Sequence, residues 1–282
     1  MNIKNTTLIT VSHNSANVIS RLLKSVPKGT PTIIVDNAST DTTTAMGVAA
    51  APDAQILKQP RNAGFGQACN AGAKMAQTPF LLFINPDAQL TEGVIEALEH
   101  AAERLPKFVA ANPLILDAKG RGRIKTTSVL PLKKLATPTI GKESIMPVLS
   151  GAAFFVRTEA FNAVGGFDPN IFLYHEDHDL SVRLANAGGT LWHIPGAIIT
   201  HVAGTGSTRS LKTAEFKGYH MARSRHYVLF KYSTRWVFIR TMGPALIGAL
   251  APFNLFSPRR RAKYKGQIIG AWSARNDNGA FT

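Results

Sequence analysis

The stretch FLLFINPDAQL, from Phe80 to Leu90, decides the fold class of this chain. It begins with large apolar residues, which is typical of a buried strand. Pro86 has no backbone N–H and cannot continue the pairing of a central strand, so we expect the strand to end at Asn85. Asp87 then stands just past the end of a buried strand, where a carboxylate can meet solvent or a ligand.

Strand and helix patterns alternate on both sides of this stretch. Strand patterns lie at 6–12, 32–39, 54–59 and 80–85, and helix patterns lie at 16–26, 41–50, 64–76 and 93–105. The alternation predicts βαβ units in an α/β fold, with a Rossmann-like, mostly parallel sheet flanked by helices. Ligands bind at the carboxyl ends of the strands in such sheets, and Asp36 and Asp87 both fall at such ends.

The second half of the chain has a different composition. Residues 117–147 are rich in Lys, Arg, Gly, Thr and Pro and have weak periodicity, which predicts a mobile excursion. A strand, a helix and a Gly-rich turn follow over 150–169. The motif HEDHDL (175–180) opens another helix, and a later strand ends at His201.

The composition is that of a folded protein in a reducing compartment. The chain has 282 residues, of which 45% are hydrophobic and 17% are charged, and this argues against long disorder. The single cysteine, Cys69, excludes an internal disulfide. The first residues lead directly into a strand pattern, so we expect no signal peptide and a cytoplasmic location.

The net charge of +15 is concentrated in the C-terminal tail. Residues 209–282 hold 14 of the 32 Lys and Arg residues but 2 of the 17 Asp and Glu residues. This asymmetry indicates an anionic partner, either membrane lipid or nucleic acid. A solvated basic face is the plain alternative.

A charge-free run inside the tail favours lipid as the partner. The run from Thr241 to Ser257 is shorter than the about 20 apolar residues that a spanning helix needs, and prolines interrupt it. We therefore expect a basic, apolar helical tail with an interfacial or re-entrant helix that associates with an anionic membrane surface, with RRRAKYK (259–265) on lipid headgroups. The protein would then be peripheral on the inner face of the cell membrane, and nucleic-acid binding is a remote alternative.

Three residues at predicted strand ends could bind ligands. Asp87 can hold a hard divalent cation on a diphosphate, because Mg²⁺ and Mn²⁺ prefer oxygen ligands. Asp36 can accept hydrogen bonds from a base or a ribose, and His201 could be a further metal ligand. The plain alternatives are a turn aspartate, a helix-capping acid and a structural histidine.

The motif HEDHDL carries the densest set of titratable side chains. Glu176, Asp177 and Asp179 are crowded together and are flanked by His175 and His178. Crowded carboxyl groups raise each other's pKa, which suits proton abstraction. An acidic helix N-terminus, favoured by the helix dipole, is the alternative interpretation.

A family resemblance rests on six segments taken in order. They are TVSHN (10–14), VDNAS (35–39), RNAGFGQACN (61–70), FINPDA (83–88), SGAAFFVRTEAFNAVGGFDPNIFLYHEDHDLSVRLANAGG (150–189) and HVAGTGS (201–207). Each segment is weak by itself, but the ordered set resembles the inverting family-2 glycosyltransferases of the GT-A fold. The similarity covers about residues 6–233 and is greatest to the rhamnosyltransferase-like branch, which builds cell-surface polysaccharide.

The resemblance implies roles for the residues that contact the donor. The nucleoside would be held by Ser12, Asn14, Asp36 and Asn37, and the nucleotide would be lined by Arg61, Asn62, Gly64 and Asn70. Asn85 and Asp87 occupy the D-x-D position of the family. Asn85 departs from that pattern, which leaves its role open and makes Asp87 the main carboxylate on the metal.

The remaining roles concern catalysis and the acceptor. Asp177 matches the general base of the family, and His201 matches a histidine that completes the metal site in some relatives. The acceptor side would be formed by Gly151, Gly166, Phe167 and Glu176. The implied cofactor is a divalent cation, Mg²⁺ or Mn²⁺.

The resemblance also implies a reaction and a domain arrangement. A sugar, best L-rhamnose from dTDP-L-rhamnose, would pass to a hydroxyl of a cell-surface polysaccharide or lipid-linked glycan precursor. UDP- and GDP-hexose donors fit the same motifs, and a non-catalytic nucleotide-sugar-binding protein is a remote alternative.

We expect a catalytic domain over 1–208, with a nucleotide-sugar half at 1–115 and an acceptor half at 148–208. Residues 209–282 would form the tail.

Overall fold

The computed structural model describes residues 5–130, 132, 135, 137–201 and 210–281. The strands are β1 (Thr6–Ser12), β2 (Thr32–Asp36), β3 (Gln55–Lys58), β4 (Phe80–Ile84), β5 (Ala88–Leu90), β6 (Phe108–Leu116), β7 (Gly122–Arg123), β8 (Ser144–Ile145), β9 (Ala153–Arg157) and β10 (Thr190–His201). The helices are α1 (Ile19–Ser25), α2 (Thr43–Ala50), α3 (Phe65–Ala73), α4 (Val94–Arg104), α5 (Thr158–Ala163), α6 (Glu176–Asn186), α7 (Leu211–Lys231), α8 (Val237–Leu250), α9 (Pro252–Leu255) and α10 (Pro258–Ser273).

The first four strands form the parallel region that the sequence predicts. They lie in the order β3-β2-β1-β4, and each neighbouring pair is parallel. All five residues of β4 are buried, and the strand ends at Ile84, two residues before Pro86. The expectation of a buried strand ending at the Asn-Pro-Asp turn is therefore confirmed, and α/β is the correct class.

The other half of the sheet is mixed and not mostly parallel as expected, because β6 and β10 are parallel while the remaining pairs are antiparallel. The order continues as β4-β9-β6-β10-β5, and β9 runs antiparallel to both β4 and β6. Strand β5 is also antiparallel to β10. A parallel pair needs a crossover connection of a dozen or more residues, usually a helix. In the described part of the chain, the connection from β6 to β9 contains no crossover helix. Strand β9 lies antiparallel beside β6, and the sheet is therefore mixed.

The core lies on both faces of this sheet because strand residues alternate between the faces. Phe155 packs on one face with Leu98 of α4, whereas Phe154 packs on the other face with Phe167. The ring centroids of Phe83 and Phe167 are 5.3 Å apart in an edge-to-face arrangement. This aromatic contact fixes the Gly-rich turn against the end of β4, close to the functional region.

The C-terminal tail is helical, as expected, but it is joined to the rest of the protein. Lys231 of α7 forms ion pairs of 2.6 Å with Asp168 and with Asp179. Ser224 donates a hydrogen bond to the carbonyl oxygen of Leu173. Across the described ranges, every helix is too short or too polar to cross a lipid bilayer. The expected domain boundary at 208/209 lies outside the described residues.

Candidate active site

A cavity of about 840 Å³ lies at the carboxyl ends of β1, β2 and β4. We call it the main cavity. The residues that the sequence predicts for a site and that line this cavity are Asn14, Asn37, Asn62, Gly64, Asn85, Asp87, Gly151, Glu176, Asp177 and His201. They come from segments far apart in the sequence, and the fold brings them together at one edge of the sheet.

The first part of the site is the pair Asp87 and His201. Asp87 stands in the turn between β4 and β5, and His201 ends β10. Antiparallel pairing places His201 opposite Ala88, directly next to Asp87. As a result, His201 Nε2 and Asp87 Oδ1 lie 3.0 Å apart. Asn85 Nδ2 is 3.5 Å from the same ring nitrogen.

The donor atoms of this pair fit a divalent cation. The carboxylate oxygen of Asp87 is a ligand that Mg²⁺ and Mn²⁺ both prefer, whereas an imidazole nitrogen is a ligand for transition metals and favours Mn²⁺ over Mg²⁺. Within the described ranges, no third His, Cys, Asp or Glu completes a metal-binding group. Mg²⁺ commonly takes one or two carboxylates and fills its remaining positions with water and substrate phosphates. The pair is therefore suited to a cation that binds together with a phosphorylated ligand.

The second part of the site is Asp177, at the start of α6. Its Oδ2 atom accepts hydrogen bonds from Lys125 Nζ at 2.7 Å and from the backbone N–H of Gly151 at 2.9 Å. Its Oδ1 atom accepts from the backbone N–H of His178 at 2.9 Å. Burial acts to raise the pKa of Asp177, but the Lys125 ammonium, His178 and the hydrogen bonds to the carboxylate together outweigh it, so the pKa is lowered. Asp177 is therefore an ionised carboxylate at neutral pH.

Glu176 has the opposite character. Burial raises its pKa, and the negative charge of Asp177 raises it further. Its Oε2 atom is buried and has no hydrogen-bond partner among the described residues. The expectation that the crowded carboxyl groups raise each other's pKa is therefore correct for Glu176 and wrong for Asp177, because Lys125 pairs with Asp177.

The backbone before α6 is strained in a way that aims these carboxyl groups. Tyr174 and His175 have φ values of +70° and +69°, a region that residues with a side chain rarely adopt.

Asp179, the third acid of the motif, is fully buried and pairs with Arg183 at 2.7 Å and with Lys231. All three acids stand in the first turn of α6, as the alternative of an acidic helix N-terminus expects, and Glu176 and Asp177 also line the main cavity.

The third part of the site is a polar wall formed by asparagines. Asn37 donates from Nδ2 to Asn62 Oδ1 at 2.9 Å and accepts at Oδ1 from the Ala63 N–H at 3.0 Å. Gly64 has φ of +86°, and a Cβ atom there would lie 2.3 Å from the carbonyl oxygen of Phe172. The wall therefore requires glycine at position 64. Asn14 accepts from the Thr40 N–H at 2.8 Å.

Several predicted site residues do not line the main cavity. Among the described lining residues we do not find Ser12, Asp36, Arg61, Asn70, Gly166 or Phe167. Asp36 accepts from the Ser39 N–H at 3.0 Å and from Thr44 Oγ1 at 2.8 Å, so it shapes a neighbouring loop. Asn70 bonds both the N–H and the C=O of Phe167, at 2.9 and 2.8 Å. In this structure Asn70 connects α3 to the Gly-rich turn.

The sequence interpretation missed one wall of the main cavity. This wall comes from the tail helix α7, through Lys212, Thr213, Phe216 and Lys217. The positions i, i+1, i+4 and i+5 share one face of a helix, and this spacing was a readable signal. Burial lowers the pKa of Lys217, although the nearby Asp87 carboxylate acts in the opposite direction. The tail therefore brings positive charge close to Asp87.

The fold and the site define a glycosyltransferase with a GT-A-like, mixed α/β fold. The chain belongs to glycosyl transferase family 2, whose family model matches residues 7–165. It is 28% identical over 268 residues to the N-acetylglucosaminyl-diphospho-decaprenol L-rhamnosyltransferase of Mycobacterium tuberculosis, an alignment that covers 81% of this chain and 87% of that protein.

Solved structures share the fold at low sequence identity. GalNAc-T7 with UDP, GalNAc and Mn²⁺ matches with a TM-score of 0.61 and 17% identity, over 97% of this chain and 56% of that one. This chain thus spans little more than half of that structure. The mannosyltransferase PcManGT from Pyrobaculum calidifontis, in complex with GDP-Man and Mn²⁺, matches with a TM-score of 0.59 and 13% identity, over 96% of this chain and 87% of that one.

Proposed function

We propose that this glycosyltransferase is inverting and metal-dependent, and that it moves L-rhamnose from dTDP-L-rhamnose to a hydroxyl of a lipid-linked glycan or cell-surface polysaccharide precursor. One observation carries the proposal: Asp87 and Asp177 line the same cavity from different elements. The similarity to an L-rhamnosyltransferase that acts on a lipid-linked sugar supports the choice of donor and acceptor. UDP- and GDP-hexoses are the alternative donors.

Asp177 is the residue that accepts the proton. It is ionised, and a carboxylate offers about four lone-pair sites, so its three hydrogen bonds leave room for an acceptor hydroxyl. As the proton moves to Asp177, the hydroxyl oxygen attacks the anomeric carbon from the side opposite the diphosphate. The configuration at that carbon inverts. The diphosphate leaves as an anion, so no acid is required to protonate it.

Asp87 and His201 are the residues that would hold the divalent cation, Mg²⁺ or Mn²⁺. When bound, the cation supplies positive charge that stabilises the departing diphosphate. Lys217 lines the same wall and adds a positive side chain from α7. Asn37, Asn62 and Gly64 form the polar wall on which the nucleoside would lie.

The tail would hold the enzyme at an anionic membrane surface on the inner face of the cell membrane. Large apolar side chains of α8 and of the residue after α9 are exposed, with Leu250 75%, Ile247 73% and Phe256 87% accessible to solvent. Basic residues 259–261 follow directly at the start of α10. Apolar side chains next to basic ones match the two requirements of interfacial binding. Residues 1–208 would then be the catalytic domain, with α7 completing the main cavity.

A panel of nucleotide sugars tests the proposed reaction. The protein is incubated with Mn²⁺, a GlcNAc-diphospho-alkyl acceptor and, in turn, dTDP-L-rhamnose, UDP-hexoses and GDP-hexoses. Mass spectrometry should show a product one deoxyhexose heavier with dTDP-L-rhamnose. If a product forms only with a different donor, the donor is not dTDP-L-rhamnose. If no donor gives a product, the proposed reaction is wrong.

A further inference from the structure

A second cavity, of about 610 Å³, adjoins the main cavity. The two cavities share Ser150, Ala152 and His201 in their walls. Its volume falls in the range of roughly 300–1,000 Å³ that is usual for sites binding small molecules. A substrate could therefore occupy both cavities at once, with one end at Asp177 and the other end in the second cavity.

The second cavity is lined by cationic side chains. They are Lys119, Arg121, Arg123 and Lys125, and Asp117 is the carboxylate among the described residues around it. The cationic residues follow strand β6 at the start of the segment 117–147. Residues at alternate positions of an extended segment point to the same side, so Arg121, Arg123 and Lys125 share one face.

Asp117 positions the two arginines without using all their donors. Its Oδ2 atom accepts from Arg121 Nε at 3.0 Å and from Arg123 Nη2 at 3.2 Å. A guanidinium group has five N–H donors, so several remain for a ligand. The side chains of Arg121 and Arg123 are 65% and 67% exposed, which leaves both groups free to contact a ligand in the cavity. Paired N–H donors of this kind suit phosphate oxygens.

A buried histidine borders the same cavity. His193 is fully buried against the backbone of Asn112, and neither ring nitrogen makes a hydrogen bond of good geometry within the described ranges. Burial lowers the pKa of His193, so the ring is neutral and offers one N–H donor. An unsatisfied buried polar group is unfavourable by itself.

Lys125 links the two cavities. Lys125 lines the second cavity, and its ammonium nitrogen, Nζ, lies 2.7 Å from Asp177 Oδ2 at the edge of the main cavity. An anion in the second cavity would compete with Asp177 for this ammonium. Asp177 would then lose the neighbouring charge that makes it a weaker base.

We propose that the second cavity binds the phosphate groups of the acceptor, a sugar carried on a diphosphate ester, and that Lys125 moves from Asp177 to this anion when the acceptor binds. The proposal rests on the proposed function, because it takes Asp177 as the group that receives the acceptor's proton. It assigns the basic start of the segment 117–147 to acceptor recognition. On this proposal, Asp177 becomes a stronger base only when an acceptor is bound.

Two probes that differ in the phosphate test this assignment. One probe is a GlcNAc-diphospho-alkyl ester and the other is the neutral alkyl glycoside of GlcNAc. Binding of each to the full chain is measured by calorimetry, and KM is measured with the active donor. The double variant Arg121→Gln/Arg123→Gln should bind the diphosphate probe about tenfold more weakly, because charge-assisted contacts to phosphate are lost. Its affinity for the neutral probe should be unchanged. Arg104→Gln is the control, since Arg104 is also an exposed arginine paired with a carboxylate, Glu143.

Equal weakening of both probes, or no weakening of either, would overturn the assignment. The calorimetric comparison does not need turnover, so it remains informative if the proposed donor is wrong. Phosphatidylglycerol vesicles form a separate arm, because a lipid headgroup carries the same phosphate chemistry. If the double variant loses vesicle binding but keeps its affinity for the diphosphate probe, the cavity is a headgroup site and the proposal fails.

Discussion

At the residue scale, the two neighbouring carboxyl groups at the start of α6 are driven to opposite protonation states. Burial and the neighbouring negative charge of Asp177 favour the neutral form of Glu176, although the Lys125 ammonium acts in the opposite direction. Asp177 is equally enclosed, but Lys125 and two backbone N–H groups stabilise its anion. Neighbouring titratable groups with separated pKa values are a general sign of an acid–base site. This difference supports the proposal of Asp177, and not Glu176, as the base.

The first prediction separates these two residues. Asp177→Asn should lower kcat by roughly 10²–10⁴-fold, because the amide cannot accept a proton. Glu176→Gln should have a much smaller effect, since a neutral amide resembles the protonated carboxyl group in shape and charge. Steady-state kinetics with circular dichroism as a check of folding measures both. A larger loss in Glu176→Gln than in Asp177→Asn would show that the base is misassigned.

The second prediction concerns Asp87. Asp87→Ala should abolish metal-dependent turnover and leave the fold intact, because the carboxylate stands in a turn after β4 and outside the core clusters. His201→Ala should raise the Mn²⁺ concentration needed for half-maximal activity. Activity is measured over a Mn²⁺ titration in protein first treated with a chelator. Unchanged turnover of Asp87→Ala without added metal would refute the metal role.

Single residues were predicted best where the strand pattern is strongest. Asp87 follows a wholly buried strand, so its position at the strand end was readable from the sequence. Asp36 and Asn70 were expected at the nucleotide, yet their side chains bond to nearby backbone and side-chain groups. A sequence pattern locates the backbone of such a residue but not the partner that its side chain selects. Lys125 was missed because its ion pair with Asp177 joins positions 52 apart in sequence.

At the element scale, the first turn of α6 should make the fold sensitive to acid. Burial lowers the pKa of His178 to about 4, below the usual value of about 6.5 in an unfolded chain. Between these values the unfolded state binds more protons than the folded state, so the free energy of unfolding falls as the pH falls. The stability contributed by neutral His178 is complete above pH 6.5 and is lost towards pH 4.

The third prediction follows from this titration. His178→Gln should reduce the loss of unfolding free energy between pH 6.5 and pH 4 by roughly 3 kcal/mol, the value of a shift of this size. Glu176 has a raised pKa and acts in the opposite direction, but it is present in both proteins and cancels in the comparison. Urea unfolding at several pH values gives the two curves. Parallel curves for the wild type and the variant would contradict the prediction.

The contact between α7 and α10 depends on glycine. A Cβ atom on Gly270 would lie 2.2 Å from the carbonyl oxygen of Tyr219, and one on Gly266 would lie 2.1 Å from that of Glu215. Backbone atoms cannot move aside as a flexible side chain can. The two helices therefore pack at a distance that any larger residue at these positions prevents.

The fourth prediction tests this contact. Gly270→Ala should lower the free energy of unfolding by about 1–3 kcal/mol, the usual effect of overpacking. Gly196→Ala is the control, because a Cβ atom there meets nothing within 4 Å, and its effect should stay within about 0.5 kcal/mol. Thermal unfolding measures both. Equal effects of the two substitutions would show that the close approach of α7 and α10 is not needed.

Periodicity located the strands and helices of the first hundred residues and their parallel pairing, but not strand β6 or the direction of β9. The buried strands β1, β2 and β4 and the amphipathic helix α4 each carry a clear pattern. The direction of β9 depends on how the segment 117–147 returns to the sheet, and a weakly periodic segment gives no local signal for that path. Likewise, the charge of α7 was visible in the sequence, whereas its packing against the main cavity required the tertiary structure.

At the scale of the whole molecule, apolar and basic side chains lie together in the tail. Exposed residues in and directly after α9 include Phe253 at 66% and Phe256 at 87%. Cationic side chains surround them, and Arg260 lies over the ring of Phe253 at 5.4 Å. The charge asymmetry of the sequence located this region, but which apolar residues stay exposed could only be seen once the helices were packed.

The fifth prediction concerns this surface. The protein should float with vesicles containing anionic lipid and bind them less at high salt, because salt screens the basic residues. The variant Phe253→Ser/Phe256→Ser should bind roughly tenfold less, since burial of each ring is lost. Met46→Ser, an exposed apolar position on α2, should bind as the wild type does. If the protein does not float with vesicles but shifts nucleic acid on a gel, the prediction is wrong and the partner is nucleic acid.

The stereochemistry of transfer tests the central claim most directly. If Asp177 activates the hydroxyl across the anomeric carbon from a diphosphate held at Asp87, NMR of the isolated product should show an anomeric configuration opposite to that in the donor. A product with the donor's configuration would contradict a single displacement and with it the roles of both aspartates.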